Sequence, residues 1–383
     1  MQEKSGDYRE YGVFGPPALI GQQMALHHHG PDGPRLDELS AEQVEFARSC
    51  AREVERAHRP LIQELTSWAE ACTLPLDEAL FYFSVGMTET SRRGRSRKNP
   101  TQAESAAGPD HVAPAENRNC STVGVMTRDG PVIGRNFDLH YRVRVRHLIS
   151  TNPKGYLPHT GMYDGLVAGR TDGMNNAGLF ASLHTVRAHP PGKRWPGLFC
   201  VYLVRTVLET CRTAHEAADR LQTMPHLSPF NYFLADPDEM LVVEAHPERT
   251  RVRHAVNGVL ACTNHYTHPE MSDLLYAVPA NSAARLAFLT QGVTSLALHP
   301  QGVVSPASPA NREEASCRIA SLMADHSVPV CWHTQTMSTL WSAIASPATG
   351  SIQYSLGAPC RNRYSHPMRS TRPTPPSPSP RPA

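Results

Sequence analysis

The chain has 383 residues, 40% of them hydrophobic, with 37 Lys+Arg against 35 Asp+Glu and a formal net charge of +2. That length can bury one sizeable core, and a near-neutral balance without a massed basic segment gives no basis for binding nucleic acid or a membrane surface. Nine cysteines without a Cys-x-x-Cys pair indicate neither a disulfide framework nor a zinc ribbon, and no window approaches the ~18 apolar residues of a membrane span, so a reduced, cytoplasmic protein is expected.

Taken in chain order, Val44, Phe46, Ala47, Ala51 and Val54 recur at roughly helical spacing behind Ser40, a candidate cap. Leu61, Leu65 and Trp68 form a second stripe, so two helices are expected over 39–71 and a short third after Pro75. Residues 1–87 therefore read as a helical N-terminal region. Residues 88–119 carry an arginine-rich run and then Ala, Gly, Pro and Glu with almost no large apolar residue, the composition of a flexible, solvated linker.

At Cys120 the texture reverses. Thr122-Val-Gly-Val-Met-Thr, a turn signal at Asp129-Gly130, and Val132-Ile-Gly-Arg-Asn-Phe-Asp138 read as a β-hairpin. Further strands are expected at 178–186, 232–235, 240–245, 251–254, 259–263, 339–345 and 351–356, and helices at 198–210, 214–224, 275–291 and 314–325. Strands and helices in blocks imply an α+β domain over 120–360, with antiparallel sheets covered by helices. Residues 361–383 are rich in Pro and Ser and are expected to form a tail without a core.

Cys120 stands where a mobile linker meets the first strand, a place where a chain can be cut without tearing the core. A cut between Asn119 and Cys120 would put a thiol and a free α-amine on one residue. An α-amine titrates at about 7.7–8.0 and can serve as the general base for its own thiol. The hairpin returns the chain to Cys120 near residue 138, where Asp138 could orient the new ammonium and Arg135 could favour the thiolate. A two-residue turn puts Arg135 on the face of Cys120 and Asp138 on the other; a three-residue turn or a bulge reverses this.

Cys120-Ser-Thr, Gly134-Arg-Asn-Phe-Asp138, Asp172-Gly-Met-Asn-Asn-Ala-Gly-Leu179, Cys262-Thr-Asn-His-Tyr266, Ser282-Ala-Ala-Arg285, Thr339-Leu-Trp-Ser342 and Gly357-Ala-Pro-Cys360 occur in this order. The series resembles the isopenicillin N acyltransferase family of autoproteolytic N-terminal-nucleophile (Ntn) hydrolases, relatives of choloylglycine hydrolases and penicillin V acylases. The resemblance spans 120–360 and implies a four-layer αββα fold and cleavage at Asn119–Cys120 into two fragments that stay together as a heterodimer. It makes Cys120 the nucleophile, Asp138 the residue orienting its amine, Arg135 the tuner of the thiolate, Asn264 an oxyanion donor and Arg285 an organiser of the site. His184 is implied as a second oxyanion donor, and Asn175 as a shaper of its loop. The implied substrate is a small-molecule acyl amide or acyl thioester, with no cofactor beyond an acyl-coenzyme A as candidate acyl donor. Where relatives usually carry Gly before the nucleophile and Trp after the Asp, this chain has Asn119 and Leu139.

The alternative is a non-catalytic Ntn-fold scaffold that is never processed. No metal is expected: His27-His28-His29 lacks further ligands at suitable spacing, and His265 beside Tyr266 is read as a packing or substrate-binding residue.

Overall fold

A computed structural model describes residues 7–28, 39–81, 119–141, 143–189, 195–297 and 310–369. The expected linker and its arginine run lie almost wholly outside these residues, as does the end of the proline-rich tail.

The N-terminal region is not purely helical. It opens with strand β1 (Tyr8–Gly15), followed by α1 (Pro17–Ala25), α2 (Ala41–Ala71) and α3 (Leu76–Phe81). Ser40 caps α2 through a reciprocal box with Gln43, as its position suggested. The two helices expected over 39–71 are one element broken at His58, where φ is −159° just ahead of Pro60, a residue that cannot continue an unstrained helix. α2 is tied to the rest of the fold by a buried charge network. His58 Nε2 lies 2.6 Å from Glu209 Oε2, and Arg205 bonds both Glu209 (2.6 Å) and Glu64 (3.0 Å).

The larger domain contains β2 (Asn119–Thr127), β3 (Gly130–His140), β4 (Arg146–Pro153), β5 (His159–Tyr163), β6 (Asp172–Asn175) and β7 (Phe180–Thr185). Helices α4 (Cys200–Thr210) and α5 (Ala214–Thr223) precede β8 (Phe230–Ala235), β9 (Met240–His246), β10 (Arg249–His254) and β11 (Val259–Cys262). Then come α6 (Ala280–Thr294), α7 (Arg312–Met323), β12 (Met337–Ser346), β13 (Ser351–Leu356) and β14 (Met368–Arg369). One sheet has the order β1-β4-β5-β6-β7-β8-β9-β10 and the other β11-β2-β3-β12-β13-β14. Every neighbouring pair is antiparallel except β1 beside β4.

The two sheets pack face to face, with α4 and α5 on the outer side of the first and α6 and α7 on the outer side of the second. This is the helix–sheet–sheet–helix architecture expected from the family resemblance. Two glycines of the central hairpin report the two interfaces. A Cβ on Gly124 would lie 2.4 Å from Met240 Sδ across the inter-sheet layer, and one on Gly134 would lie 2.1 Å from Ile319 Cγ2 on α7. At Gly134 a side chain would force α7 to shift, whereas at Gly124 the flexible end of Met240 would have to move.

The start of the expected tail is ordered. Residues 361–369 return to the sheet as β14, and the Tyr364 hydroxyl lies 2.7 Å from Ser342 Oγ on β12. Ser365 adds a backbone bond to the Tyr354 carbonyl at 2.8 Å and accepts the Tyr354 N–H on its Oγ at 3.2 Å, so the segment is anchored despite its polar composition.

Candidate active site

The β2–β3 turn has two residues between Thr127 and Gly130, and the ladder runs without a bulge from there to Asn119↔Asp138. Cys120 therefore faces Phe137 and shares a side with Thr122 and Arg135, while Asn119, Ser121 and Asp138 point to the other face. The first group looks into the layer between the sheets, and the second toward α6 and α7.

Cys120 is only 2% exposed. Burial raises its thiol pKa, a shift that Arg135 and Arg285 oppose and Asp138 reinforces, so the thiol is protonated in the continuous chain. Beside it Phe137 stacks on Trp341 at 4.0 Å. A narrow cleft, partly open to solvent, reaches Cys120 between Phe137, Leu139, Leu183 and Phe199.

Three polar side chains act on the backbone around Cys120. Asn264, just beyond β11, accepts the Cys120 backbone N–H on Oδ1 at 2.9 Å and donates from Nδ2 to the Thr185 carbonyl at 2.9 Å. Arg285 on α6 is fully buried. Its Nη1 donates to the Cys120 carbonyl and to Ser121 Oγ, each at 2.7 Å, and its Nη2 donates to Asn264 Oδ1 at 2.9 Å. Asp138 receives Thr339 Oγ1 on Oδ1 at 2.6 Å, while its buried Oδ2 has no hydrogen-bond partner among the described residues. Burial raises the Asp138 carboxyl to about 7, against the lowering pull of Arg285, Thr339 and Arg135.

Arg135 lies flat between the sheets. Its Nε donates to Asp172 Oδ2 at 2.7 Å and its Nη1 to the Leu183 carbonyl at 2.9 Å. Asp172 also receives Trp341 Nε1 (2.9 Å) and the Tyr354 hydroxyl (2.8 Å), so one carboxylate on β6 holds β3, β12 and β13. His184 touches Thr122 Oγ1 at 3.0 Å and lies 3.4 Å from Arg135 Nη1. Burial and the adjacent Arg135 hold its pKa well below the ordinary value, which keeps the ring neutral.

The structure thus gathers Cys120, Asn119, Asn264 and Arg285 into direct contact and places Arg135, Asp138 and His184 around them. Two other sequence-selected residues stand apart from Cys120. Asn175 spans the β6–β7 turn, accepting from Ala177 and Leu179 and donating to the Leu208 and Cys211 carbonyls. His265 bonds Ser282 Oγ at 2.8 Å behind Asn264, and burial lowers it to about 4. Arg318 is exposed on α7 and bonds the Gly292 carbonyl, away from the cluster.

Ser282, Thr339 and Asp172 were not singled out as site residues. Ser282 Oγ accepts the Asn264 backbone N–H at 2.8 Å, and it sits one helical turn ahead of Arg285, so a single face of α6 fixes both Asn264 and the Cys120 carbonyl. All three fall inside the motifs that carried the family resemblance, which was the available signal.

The family model for acyl-coenzyme A:6-aminopenicillanic acid acyl-transferase matches residues 125–361, beginning just after Cys120. The chain is similar in structure to the Caenorhabditis elegans N-acylethanolamine-hydrolyzing acid amidase ortholog, with TM-score 0.43 and 15% identity over 60% of this chain and 93% of that one. It is similar to penicillin V acylase from Agrobacterium tumefaciens, with TM-score 0.40 and 17% identity over 62% and 83%. It is also similar to a mutant of conjugated bile acid hydrolase from Clostridium perfringens, with TM-score 0.37 and 15% identity over 62% and 89%. The chain matches no curated protein sequence. Among the described residues no helix is long and apolar enough to cross a membrane. With most of its larger domain matched, the chain belongs to the acyl-coenzyme A:6-aminopenicillanic acid acyl-transferase family of Ntn enzymes.

Proposed function

We propose that the chain is an autoproteolytic N-terminal cysteine hydrolase or acyltransferase, activated by cleavage between Asn119 and Cys120 and acting through an acyl-enzyme on Cys120. The observation that carries this reading is the grip on one backbone unit: Asn264 holds the Cys120 N–H and Arg285 its carbonyl. Buried side-chain partners on both polar groups of a residue at a strand's start are more than strand pairing requires.

For the cleavage, the Cys120 thiol attacks the Asn119 carbonyl carbon. The C–N bond breaks as the nitrogen takes a proton, leaving a thioester and a free amine, and water then hydrolyses the thioester. Asn119 is the register partner of Asp138, so its departure opens space beside the unpaired Asp138 Oδ2 for the new ammonium. That carboxylate then orients the amine as Asn264 Oδ1 does now. Asn in place of Gly before the nucleophile remains compatible, because Asn tolerates unusual backbone angles better than most residues.

In turnover the neutral amine takes the thiol proton, and the thiolate attacks the carbonyl of an acyl amide or acyl thioester. The tetrahedral oxyanion is met by the second N–H of Asn264 Nδ2, whose first is held by Thr185. The leaving amine or thiol takes the proton, and water or an acceptor amine collects the acyl group. Phe137, Leu139, Leu166, Leu183, Phe199 and Val201 line the narrow cleft beside Asp164 and Thr185, so an acyl group entering it would meet mostly apolar walls. The reaction uses no further cofactor, and the two fragments function as a heterodimer.

Intact mass and N-terminal sequencing of the purified protein test the proposal. Fragments 1–119 and 120–383 with a new N-terminal Cys are expected. A full-length species with full activity would sink it, because the α-amine would still be tied up in a peptide bond.

A further inference from the structure

Four side chains with soft or borderline donors converge away from Cys120, where the loop after α7 meets the segment beyond β13. His326 follows α7, Cys331 and His333 lie in the loop leading into β12, and Cys360 follows β13. One donor atom from each lies within 4.8 Å of all the others. His333 Nε2 is 3.4 Å from Cys331 Sγ and 3.1 Å from Cys360 Sγ, and the His326 and His333 rings meet edge to face at 5.4 Å.

The two distances from His333 Nε2 to the sulfurs are close to the edges of a tetrahedral coordination shell. Tetrahedral zinc, with Zn–S near 2.3 Å and Zn–N near 2.0–2.1 Å, sets its sulfur and nitrogen ligands roughly 3.5 Å apart. Both measured contacts fall within about half an ångström of that edge. The outer side of the site is also built. Ser338 Oγ lies 3.4 Å from His333 Nδ1, where it can accept the Nδ1–H and leave Nε2 as the ligand atom.

We propose that His326, Cys331, His333 and Cys360 bind one structural Zn²⁺ in a Cys₂His₂ set. Four protein ligands leave no open position for substrate or water, so the ion serves architecture rather than chemistry. Binding releases the two thiol protons to solvent and leaves both sulfurs as thiolates. A Cys331–Cys360 disulfide would need neither imidazole, yet both imidazoles close on the same point. Sequence spacing conceals the set because His333 and Cys360 are 27 positions apart and meet only when the β12–β13 hairpin forms.

The site would fasten the C-terminal segment to a loop that supports Asp138. Trp332, between two of the ligands, accepts the Thr339 N–H at 2.9 Å and donates its own N–H to Thr339 Oγ1 at 2.8 Å. Thr339 Oγ1 in turn donates to Asp138 Oδ1 at 2.6 Å. The proposed ligands are therefore positioning residues for Asp138, two hydrogen-bonded steps away.

The test is elemental analysis of the full chain purified under reducing conditions, followed by chelation and titration with Co²⁺. About one zinc per chain is expected, and Co²⁺ uptake should produce thiolate charge-transfer absorption together with the strong visible bands of a tetrahedral site. Cys360→Ser should retain metal against a chelator at least roughly tenfold less well, whereas Cys317→Ser, at an exposed cysteine outside the cluster, should match the parent. Should Cys360→Ser fail to fold, the parent titration decides alone. Metal-free protein that takes up no Co²⁺, or a Cys331–Cys360 disulfide found by peptide mapping of that preparation, overturns the proposal.

Discussion

Asn264 Oδ1 sits 2.9 Å from the backbone nitrogen of Cys120 and 2.9 Å from Arg285 Nη2. Two donors on one oxygen fix which way the amide faces, and its nitrogen must point to the Thr185 carbonyl. Asn264→Asp keeps the acceptor and loses the donor, so it should still form the two fragments while kcat falls by roughly 100- to 1000-fold. Asn264→Ala loses both and should slow fragment formation as well. Gel-resolved cleavage kinetics alongside steady-state rates separate the two effects; a raised KM at unchanged kcat in both variants would remove the oxyanion role.

Arg285 should not tolerate lysine. Its fork reaches the Cys120 carbonyl, Ser121 Oγ and Asn264 Oδ1 at once, which a single ammonium on a flexible stem cannot do. Arg285→Lys is expected to cost about 1.5–3 kcal/mol of stability through a lost charged hydrogen bond and to slow cleavage. Arg318→Ala, at an exposed position, should change stability by no more than about 0.5 kcal/mol. Urea unfolding of both variants in a Cys120→Ala background checks the contrast.

The Asp138 carboxyl makes a signed pH prediction. Its folded pKa, raised by burial to about 7, lies above the ordinary 3.8. Between those values the folded chain holds a proton that the unfolded chain has released, so this group's contribution falls as pH rises through that window. Above about 7 the penalty is complete, at most a few kcal/mol. In uncleavable Cys120→Ala protein, Asp138→Asn should therefore unfold like its parent near pH 3.5 and be the more stable of the two at pH 8. Equal stability at both pH values would show that the carboxyl is not raised.

Gly134 should resist even alanine. The added Cβ would lie 2.1 Å from Ile319 Cγ2, pushing α7 off the sheet. About 1–3 kcal/mol of destabilisation is expected for such overpacking, partly recovered by Ile319→Ala in the same chain, which removes the clashing Cγ2, since coupled neighbours are not additive. A thermal-unfolding double-mutant cycle measures the recovery.

The hairpin of β2 and β3 was legible because Asp129-Gly130 punctuates two apolar runs, and the strands from β8 to β11 were legible for the same reason. β1, β4, β5 and β6 were not. β1 carries Arg9 and Glu10 on an exposed edge, and β6 is only Asp172-Gly-Met-Asn175, which reads as a turn until its neighbours are in place. The motifs led to the residues around Cys120, but which face Arg135 and Asp138 take depended on a turn length that composition leaves open. Ser282 and Thr339 were hidden for another reason: a hydroxyl that bonds a distant backbone leaves no periodicity in sequence.

The parallel pairing of β1 with β4 changes what a cut at Asn119–Cys120 could release. Tyr8 through Gly15 fill one whole border of the eight-stranded sheet, and the Tyr8 hydroxyl reaches the Leu340 carbonyl in the other sheet at 2.7 Å. A fragment beginning at Cys120 and made alone would present β4 as a bare edge, a template for aggregation. The two pieces would behave as a complementation pair: soluble when translated as one polypeptide, or when refolded together, and poorly recoverable when produced apart.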